Sequence, residues 1–429
     1  MKIAIAGYGV EGASNYRYFK AAGHDVTIVD ENSTLKHNEN ELKTKEILGK
    51  GSFEKLQNFD MVVRTAGLDP KKIKTDGKIW SATNEFFAKC QAPIIGVTGT
   101  KGKGTTASLI ASILRSDGYK VHLVGNIGVP ALDVLADISE DDIVVYELSS
   151  FQLWDLEKSP HIATVLMIEQ DHLDVHTDFT DYLSAKSNIC RYQTADDICV
   201  YHPSNKYSRE VADLSGGKVG RYGIADDGLV YVKDDAFYCK NDMLAEVKDL
   251  QLPGAHNREN ACAAISACLS FLIDSRSVVT GLRSFDGLPH RLKFVRSVNG
   301  VSYYDDSIAT TPGSAIAAIK AFQQPKIIIL GGSDKGSSYE EIIDECAKTN
   351  TKVITIGNVG PGIASICREK NVEVHEVSGD MHAVVRKAQM LASEDAVVLL
   401  SPASASFDQY KNYNDRGDKF VEAVKEIKE

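Results

Sequence analysis

Short apolar runs that stop at a glycine or an acid recur along this chain, each followed by a stretch with helical spacing. KIAIAG at residues 2–7 is the first, and HDVTIVD and MVVRTAG follow before residue 68. A helix is expected after Gly12. From residue 94 the alternation resumes with IIGVT, VHLVG, DIVVYELSS and TVLMIE, and beyond residue 287 it returns with GVSYYDD, KIIILGG, KVITIG and AVVLLS. Such runs predict strands covered on both faces, hence mainly parallel sheets with helices on each side. Two stretches differ. Residues 217–250, with GLVYVKDDAFYCKNDMLAEV, read as short antiparallel hairpins, and NRENACAAISACLSFLI reads as an apolar helix rich in Ala. A crossover near residues 91–93 and the GLPHR segment ending at Arg291 divide the chain into 1–91, 92–286 and 287–429. The expected class is α/β, with three mononucleotide-type domains in series.

Composition adds limits. The 429 residues suit two to four domains at roughly 100–200 residues each. Hydrophobic content of 43% and charged content of 25% are those of a soluble globular protein. A net charge of −11 with no basic patch excludes a nucleic-acid binder. No apolar run approaches the ~20 residues of a membrane span, and the first residues already read as a strand rather than a signal peptide. The eight cysteines contain no CxxC pair and read as free thiols in a reducing, cytoplasmic setting.

Candidate chemistry centres on residues 94–106, IIGVTGTKGKGTT, where an apolar run ends in a glycine-rich loop ahead of the helix-prone ASLIASILRS. Glycines let backbone N–H groups crowd around phosphate oxygens, and a helix N-terminus adds positive potential. Lys103 supplies a point charge for the outer phosphates. The pattern predicts a nucleoside triphosphate on Gly99, Thr100, Lys101, Gly102, Lys103, Gly104, Thr105 and Thr106. Gly104 stands where Ser or Thr ordinarily ligates magnesium, so that role falls to Thr105 or Thr106. Glu147 closes the apolar strand of DDIVVYELSS, the place from which an acid holds magnesium beside such a loop. His172, in DHLD, closes another strand at the edge where open α/β sheets bind ligands. Lys186, in DYLSAKSNI, reads on pattern alone as a surface lysine of a helix.

Gly7-Tyr-Gly9-Val-Glu-Gly12, with Asp30 eighteen residues further on, reads as a pyrophosphate fingerprint that NAD, FAD or a UDP-sugar would satisfy equally. In HNREN, Asn257 and Asn260 either face one ligand together or Asn257 caps the helix. DDSIAT, GGSDK and SPASASFDQ each follow a strand of the last domain and point to a second substrate site there.

Taken in order, GYGVEG, GVTGTKGKGTT, GNIGVPAL, ELSSFQL, DHLD, YLSAK, HNRENACAA, GLPHR, DDSIAT, GGSDK and SPASASFDQYKNYNDRG span the chain and resemble the Mur ligase family. The resemblance implies an N-terminal Rossmann-like domain, a central ATPase-type parallel sheet with a P-loop, and a C-terminal Rossmann-like α/β domain that close on one another. It implies a cytoplasmic step of peptidoglycan precursor synthesis, carried out by a monomer. ATP phosphorylates the carboxylate of UDP-N-acetylmuramoyl-L-alanine, and the amine of D-glutamate displaces phosphate from the acyl phosphate. Lys103 and Thr105 or Thr106 would hold the phosphates and one magnesium with Glu147. His172 would hold a second magnesium, faced by a carbamylated Lys186. Asn260, Arg291 and Asp306 match the nucleotide contacts, and Gly9, Val10, Glu11 and Asn126 lie near the UDP-sugar. Thr310, Lys335, Ser406 and Tyr413 match the glutamate pocket. The chain departs from the pattern at Ile308, where many relatives carry lysine, at Tyr413, where phenylalanine is common, and at Asn32, where some carry arginine.

Rival readings stay narrower. An L-glutamate-adding variant shares every motif. A folylpolyglutamate synthase would share the GKG loop but lacks the separate domain carrying residues 7–12. A nicotinamide dehydrogenase built on GYGVEG leaves Lys103, Glu147 and His172 unexplained, and a non-catalytic nucleotide-binding partner would not need them.

Overall fold

A computed structural model describes residues 1–35, 44–125, 129–173, 175–223, 228–252, 254–334 and 337–428. The chain forms two compact units. One comprises Met1–Gln251 and Ala255–Phe285, the other Leu252–Gly254 and Asp286–Glu429.

The first unit holds two parallel sheets. β1 (Lys2–Ala6), β2 (Asp25–Asp30), β3 (Lys45–Leu48), β4 (Met61–Arg64) and β5 (Lys78–Ser81) lie in the order β3-β2-β1-β4-β5. This is the doubly wound order, with its switch point between β1 and β4. β6 (Ile94–Thr98), β7 (Val121–Gly125), β8 (Ile143–Glu147), β9 (Ile162–Val165), β10 (Ile198–Tyr201) and β11 (Lys218–Arg221) follow, in the order β11-β10-β9-β6-β8-β7. β6 and β8 are buried at every position, because helices cover both faces. β12 (Tyr231–Lys233), β13 (Ala236–Cys239) and β14 (Asp242–Glu246) make the expected antiparallel meander. The helix expected after Gly12 opens earlier, at Val10–Ala21, because Gly9 in extended conformation already serves as its N-cap.

One hydrophobic core runs through both sheets of this unit, joining Ile3, Phe86 and Phe87 to Tyr146, Leu153 and Ile189. The Phe86 and Phe87 rings lie 5.4 and 5.6 Å from that of Tyr146. At roughly 1.5–3 kcal/mol per buried large side chain, this seam is a principal source of the unit's stability. Across it, the fully buried Arg64 at the end of β4 grips Asp155 through Nε at 2.7 Å and Nη2 at 2.6 Å, and donates to the Phe151 carbonyl at 2.9 Å.

The second unit carries β15 (Lys293–Val298), β16 (Val301–Asp305), β17 (Lys326–Gly331), β18 (Lys352–Ile356), β19 (Val374–Glu376) and β20 (Val397–Leu400), in the order β15-β16-β20-β17-β18-β19. Only β15 runs antiparallel. No helix among the described residues is long and apolar enough to cross a membrane.

Candidate active site

The carboxyl ends of β6, β8 and β9 converge, since β6 pairs with both neighbours. After β6 the chain must turn sharply to start the helix Lys103–Ser116, and Gly102 makes the turn as N-cap with φ +84°. A side chain there would be strained, and its Cβ would lie 2.4 Å from Oδ1 of Asn260. Asn260, on the helix Ala255–Cys268, is therefore seated against the loop. Asn257 is the third residue of that helix, and its Oδ1 accepts from Asn260 Nδ2 at 3.2 Å. The helix Lys103–Ser116 has no side-chain cap, so no cap competes with an anion drawn to the positive end of its dipole. Thr105 and Thr106 are buried, and Thr106 Oγ1 has no hydrogen-bond partner among the described residues.

Two lysines close on a single carbonyl in this loop. Lys103 Nζ donates to the Gly99 and Thr100 carbonyls at 3.1 and 3.0 Å. Lys186 Nζ donates to the same Gly99 carbonyl at 2.8 Å and to Thr98 Oγ1 at 3.3 Å, and lies 4.7 Å over the Tyr182 ring. Far from a surface lysine, Lys186 is 1% exposed. Burial, and then the charge of Lys103, push its ammonium well below the usual lysine range, against the opposing pull of Asp171 and Glu147. The i,i+4 spacing of Tyr182 and Lys186 puts both on the inner face of the helix Phe179–Arg191.

Glu147 closes β8 and is 3% exposed. His172 sits in left-handed conformation with φ +54°, half-exposed, its Nε2 3.6 Å from Asp171 Oδ2 and its ring 5.0 Å from Phe151. Among the described residues no three His, Cys, Asp or Glu side chains gather as a metal cluster. Sequence reasoning missed the aromatic wall behind His172. The His176 ring stacks on Phe151 at 5.4 Å and meets Trp154 at 4.4 Å and Tyr182 at 5.3 Å. Burial lowers the His176 imidazole below its usual range, although Asp181 pulls the other way. The Tyr182 hydroxyl is 3.0 Å from Thr100 Oγ1, which joins the wall to the phosphate loop. The one available signal was the His–x3–His spacing after β9.

Behind β1, Gly7 takes φ +89°, and a Cβ on Gly12 would strike the Gly7 carbonyl at 2.2 Å, so helix and strand pack as the fingerprint requires. Gly9 faces open space and Val10 is 78% exposed. Glu11 accepts from the Ala66 N–H at 2.8 Å, and burial raises its carboxyl. Asp30 accepts from Tyr8 and Asn32 N–H groups at 2.7 and 2.8 Å. Asn126 lies outside the described residues, as does Lys335.

The second unit has its own cluster at the ends of β16 and β20. Asp306 accepts from Ser401 Oγ at 2.6 Å and Leu292 N at 3.0 Å, and burial pushes its carboxyl up to about 7. His290 Nδ1 donates to Asp305 Oδ2 at 2.7 Å, and that bond holds its imidazole above the usual range. Arg416, fully buried, donates to Ser307 Oγ, the Ser307 carbonyl and the Ser404 carbonyl at 3.0, 2.8 and 3.0 Å. Desolvation brings its guanidinium down to about 10. The Ser307 hydroxyl donates in turn to the Tyr413 carbonyl at 2.8 Å. Ser406 is buried, Thr310 half-buried, and Arg291 and Tyr413 are exposed. Arg416 was another residue that sequence reasoning passed over.

A strand-loop-helix phosphate cradle with an acid on the neighbouring strand, followed by a second α/β unit with polar strand ends, describes an ATP-dependent ligase of modular build. The family models agree. Residues 97–268 match the Mur ligase middle domain, and residues 290–404 match the Mur ligase glutamate ligase domain. The chain belongs to the Mur ligase family. It is 36% identical, across 99% of its own length and 96% of the relative's, to UDP-N-acetylmuramoylalanine–D-glutamate ligase of Acetivibrio thermocellus. In fold it is similar to UDP-N-acetylmuramate-alanine ligase of Thermotoga maritima (TM-score 0.62, 19% identity, 100% of both chains). It is also similar to the MurF ligase of that organism in complex with ADP (TM-score 0.58, 16% identity, 98% and 93% of the two chains).

Proposed function

We propose that this protein joins D-glutamate to UDP-N-acetylmuramoyl-L-alanine at the expense of ATP, as a cytoplasmic monomer built of the modules 1–91, 92–286 and 287–429. The observation that carries the reading is the pair Lys103 and Lys186 closing on the Gly99 carbonyl. A cradle with two amines at a helix start that carries no side-chain cap suits a polyanion. The substrate carboxylate attacks the γ-phosphorus and ADP leaves. The glutamate amine then attacks the acyl carbon, phosphate departs and the amine gives up a proton. Lys103 would neutralise the phosphates at the first step, and Asn260, seated against Gly102, would hold the nucleotide there.

The donors fit a hard divalent cation. Glu147, Thr105 and Thr106 offer oxygen, and the buried Thr106 hydroxyl has no hydrogen-bond partner among the described residues. Magnesium held there, with a second ion near His172, would supply charge neutralisation for phosphoryl transfer. The neutral amine that burial favours at Lys186 is the form that adds carbon dioxide, releasing a proton, and the resulting carbamate would put an anion there to face the metal. In the second unit, Asp306 and Arg291 would meet the nucleotide, and Thr310, Ser406, Tyr413 and Lys335 the glutamate. Gly9, Val10, Glu11 and Asn126 would meet the UDP-sugar.

The test is ADP release from ATP, magnesium and UDP-N-acetylmuramoyl-L-alanine with D- or L-glutamate added in parallel. Turnover with D-glutamate alone is expected. Turnover with L-glutamate alone would move the chain to the L-adding variant, and no turnover with either would direct the search to folate substrates.

A further inference from the structure

A line of hydrogen bonds runs beneath the candidate active site through residues that none of the assignments above employs. Ser150 Oγ lies 3.0 Å from His176 Nε2, and His176 Nδ1 lies 3.1 Å from Asp181 Oδ2. Ser150 and His176 are each 2% exposed. The Asp181 carboxylate can only accept, so Nδ1 carries the proton and Nε2 accepts from the Ser150 hydroxyl. The outer oxygen of Asp181 takes Lys71 Nζ at 3.1 Å, and the same ammonium donates to Thr177 Oγ1 at 3.0 Å. Burial excludes a nucleophilic role for Ser150, since no substrate reaches its hydroxyl.

The three members sit on three different segments. Ser150 opens the helix Ser150–Leu153, three residues past Glu147. His176 follows His172 ahead of the helix Phe179–Arg191, which carries Lys186 and has Asp181 in its first turn. Lys71 brings in the short turn Pro70–Lys72 behind the N-terminal sheet. We propose that Ser150, His176 and Asp181 form a positioning relay that locks the Glu147, His172 and Lys186 segments in mutual register for catalysis. The proposal rests on the assignment of those three residues to the reacting end of the site. The imidazole suits the task because its ring is already wedged between Phe151, Trp154 and Tyr182, so its two nitrogens are fixed in direction.

His176→Phe keeps the stacked ring and removes both hydrogen bonds, and Ser150→Ala removes one. Each should lower kcat about tenfold, with KM for ATP within about twofold, because the phosphate loop is untouched. The double variant should be no slower than His176→Phe alone, as members of one relay are non-additive. Losses that multiply, or kcat within twofold of wild type in Ser150→Ala, would overturn the relay, and Ser150→Ala decides the matter should His176→Phe fail to fold. Nitrogen-15 spectra of the histidines in wild-type protein should show His176 as the neutral Nδ1–H form, and an Nε2–H form would also overturn it. Wild-type protein that shows the Nδ1–H signal but forms no ADP with either glutamate enantiomer defeats the ligase reading, and the catalytic role of the relay with it. An active wild type with unaffected relay variants defeats the relay alone.

Discussion

The strand ends of the central sheet and those of the second unit are built alike, but their buried groups titrate in opposite senses. Both gather polar loops at the carboxyl edge of parallel strands. At the central edge the buried groups shed protons: Lys186 is held well below the usual lysine range and His176 below the usual imidazole range. At the other edge they keep them, with Asp306 raised to about 7 and His290 raised by Asp305. Desolvation is the largest cause in three of the four, and its direction follows the chemistry, since it penalises ammonium and imidazolium at one edge and carboxylate at the other. An anion beside the buried Lys186 would favour its ammonium form. The second edge has already closed its network on itself, with the Arg416 guanidinium satisfied by two carbonyls and a hydroxyl.

The largest effect is expected at Lys186. Lys186→Met keeps most of the volume and removes the amine. Turnover in the ADP-release assay should fall on the order of 10³-fold, equivalent to about 4 kcal/mol, and high bicarbonate should not restore it. Thermal stability should hold or rise, because a desolvated amine with no carboxylate hydrogen bond among the described residues is replaced by an apolar chain. A variant that is both active and less stable would erase the contrast between the edges, for Lys186 would then be structural.

Next comes the pH dependence of stability, in which the edges should oppose each other. Lys186 and His176 have depressed values when folded, so the unfolded chain binds the extra protons and stability rises with pH, toward the ordinary lysine value for the first and up to about 6.5 for the second. Asp306 is raised from 3.8 to about 7, so the folded chain binds the extra proton and stability falls as pH climbs through that window. His290 acts in the same sense, its stabilisation complete below about 6.5 and lost as pH passes its raised folded value. Asp306→Asn should remove a drop on the order of 4 kcal/mol between pH 4 and pH 8, read from urea unfolding of wild type and variant at each pH. Parallel curves for the two proteins would show that Asp306 stays ionised throughout and that the second edge does not keep its proton.

Much of this contrast could be read from sequence, and what was missed has a common cause. The phosphate loop, Glu147 at the end of β8 and the strands β16, β17, β18 and β20 were visible because an interior parallel strand is an unbroken apolar run stopped by glycine or acid. Of the additional strands, β3, β5, β11, β15 and β19 are sheet edges, whereas β10 is interior, and its four-residue run ICVY was too short to stand out. KVGR in β11 and KEIL in β3 bury little and show no such run. Lys186 looked like a surface residue because its burial comes from Thr98, Gly99 and Tyr182, of which only Tyr182 is near in sequence. Arg64 ends a legible strand, but its partner Asp155 lies 91 residues away. The Asp30 of the fingerprint was legible as an acid at a strand end, whereas its use by the Tyr8 and Asn32 N–H groups depends on loop geometry that spacing does not encode.

The smallest effect tests how each edge tolerates a single added methyl. Gly102 and Gly332 both occupy positive φ, at +84° and +142°, beside their respective strand ends. A Cβ at Gly102 meets a side chain, Asn260 Oδ1 at 2.4 Å, whereas a Cβ at Gly332 meets backbone, the Ala405 carbonyl at 2.0 Å. Gly102→Ala should cost about 2–3 kcal/mol, the sum of a left-handed Ala and the displacement of Asn260. In an Asn260→Ala background the space opens, and the same change should cost only about 1 kcal/mol, the conformational part alone. No neighbouring side-chain deletion can relieve Gly332→Ala, because the carbonyl it meets belongs to the chain itself. Chemical denaturation of the four combinations at Gly102 and Asn260, with Gly332→Ala alongside, measures this directly. An undiminished cost of Gly102→Ala without Asn260 would mean that backbone strain alone demands glycine there, and that the amide rests on the phosphate loop without being held in place by it.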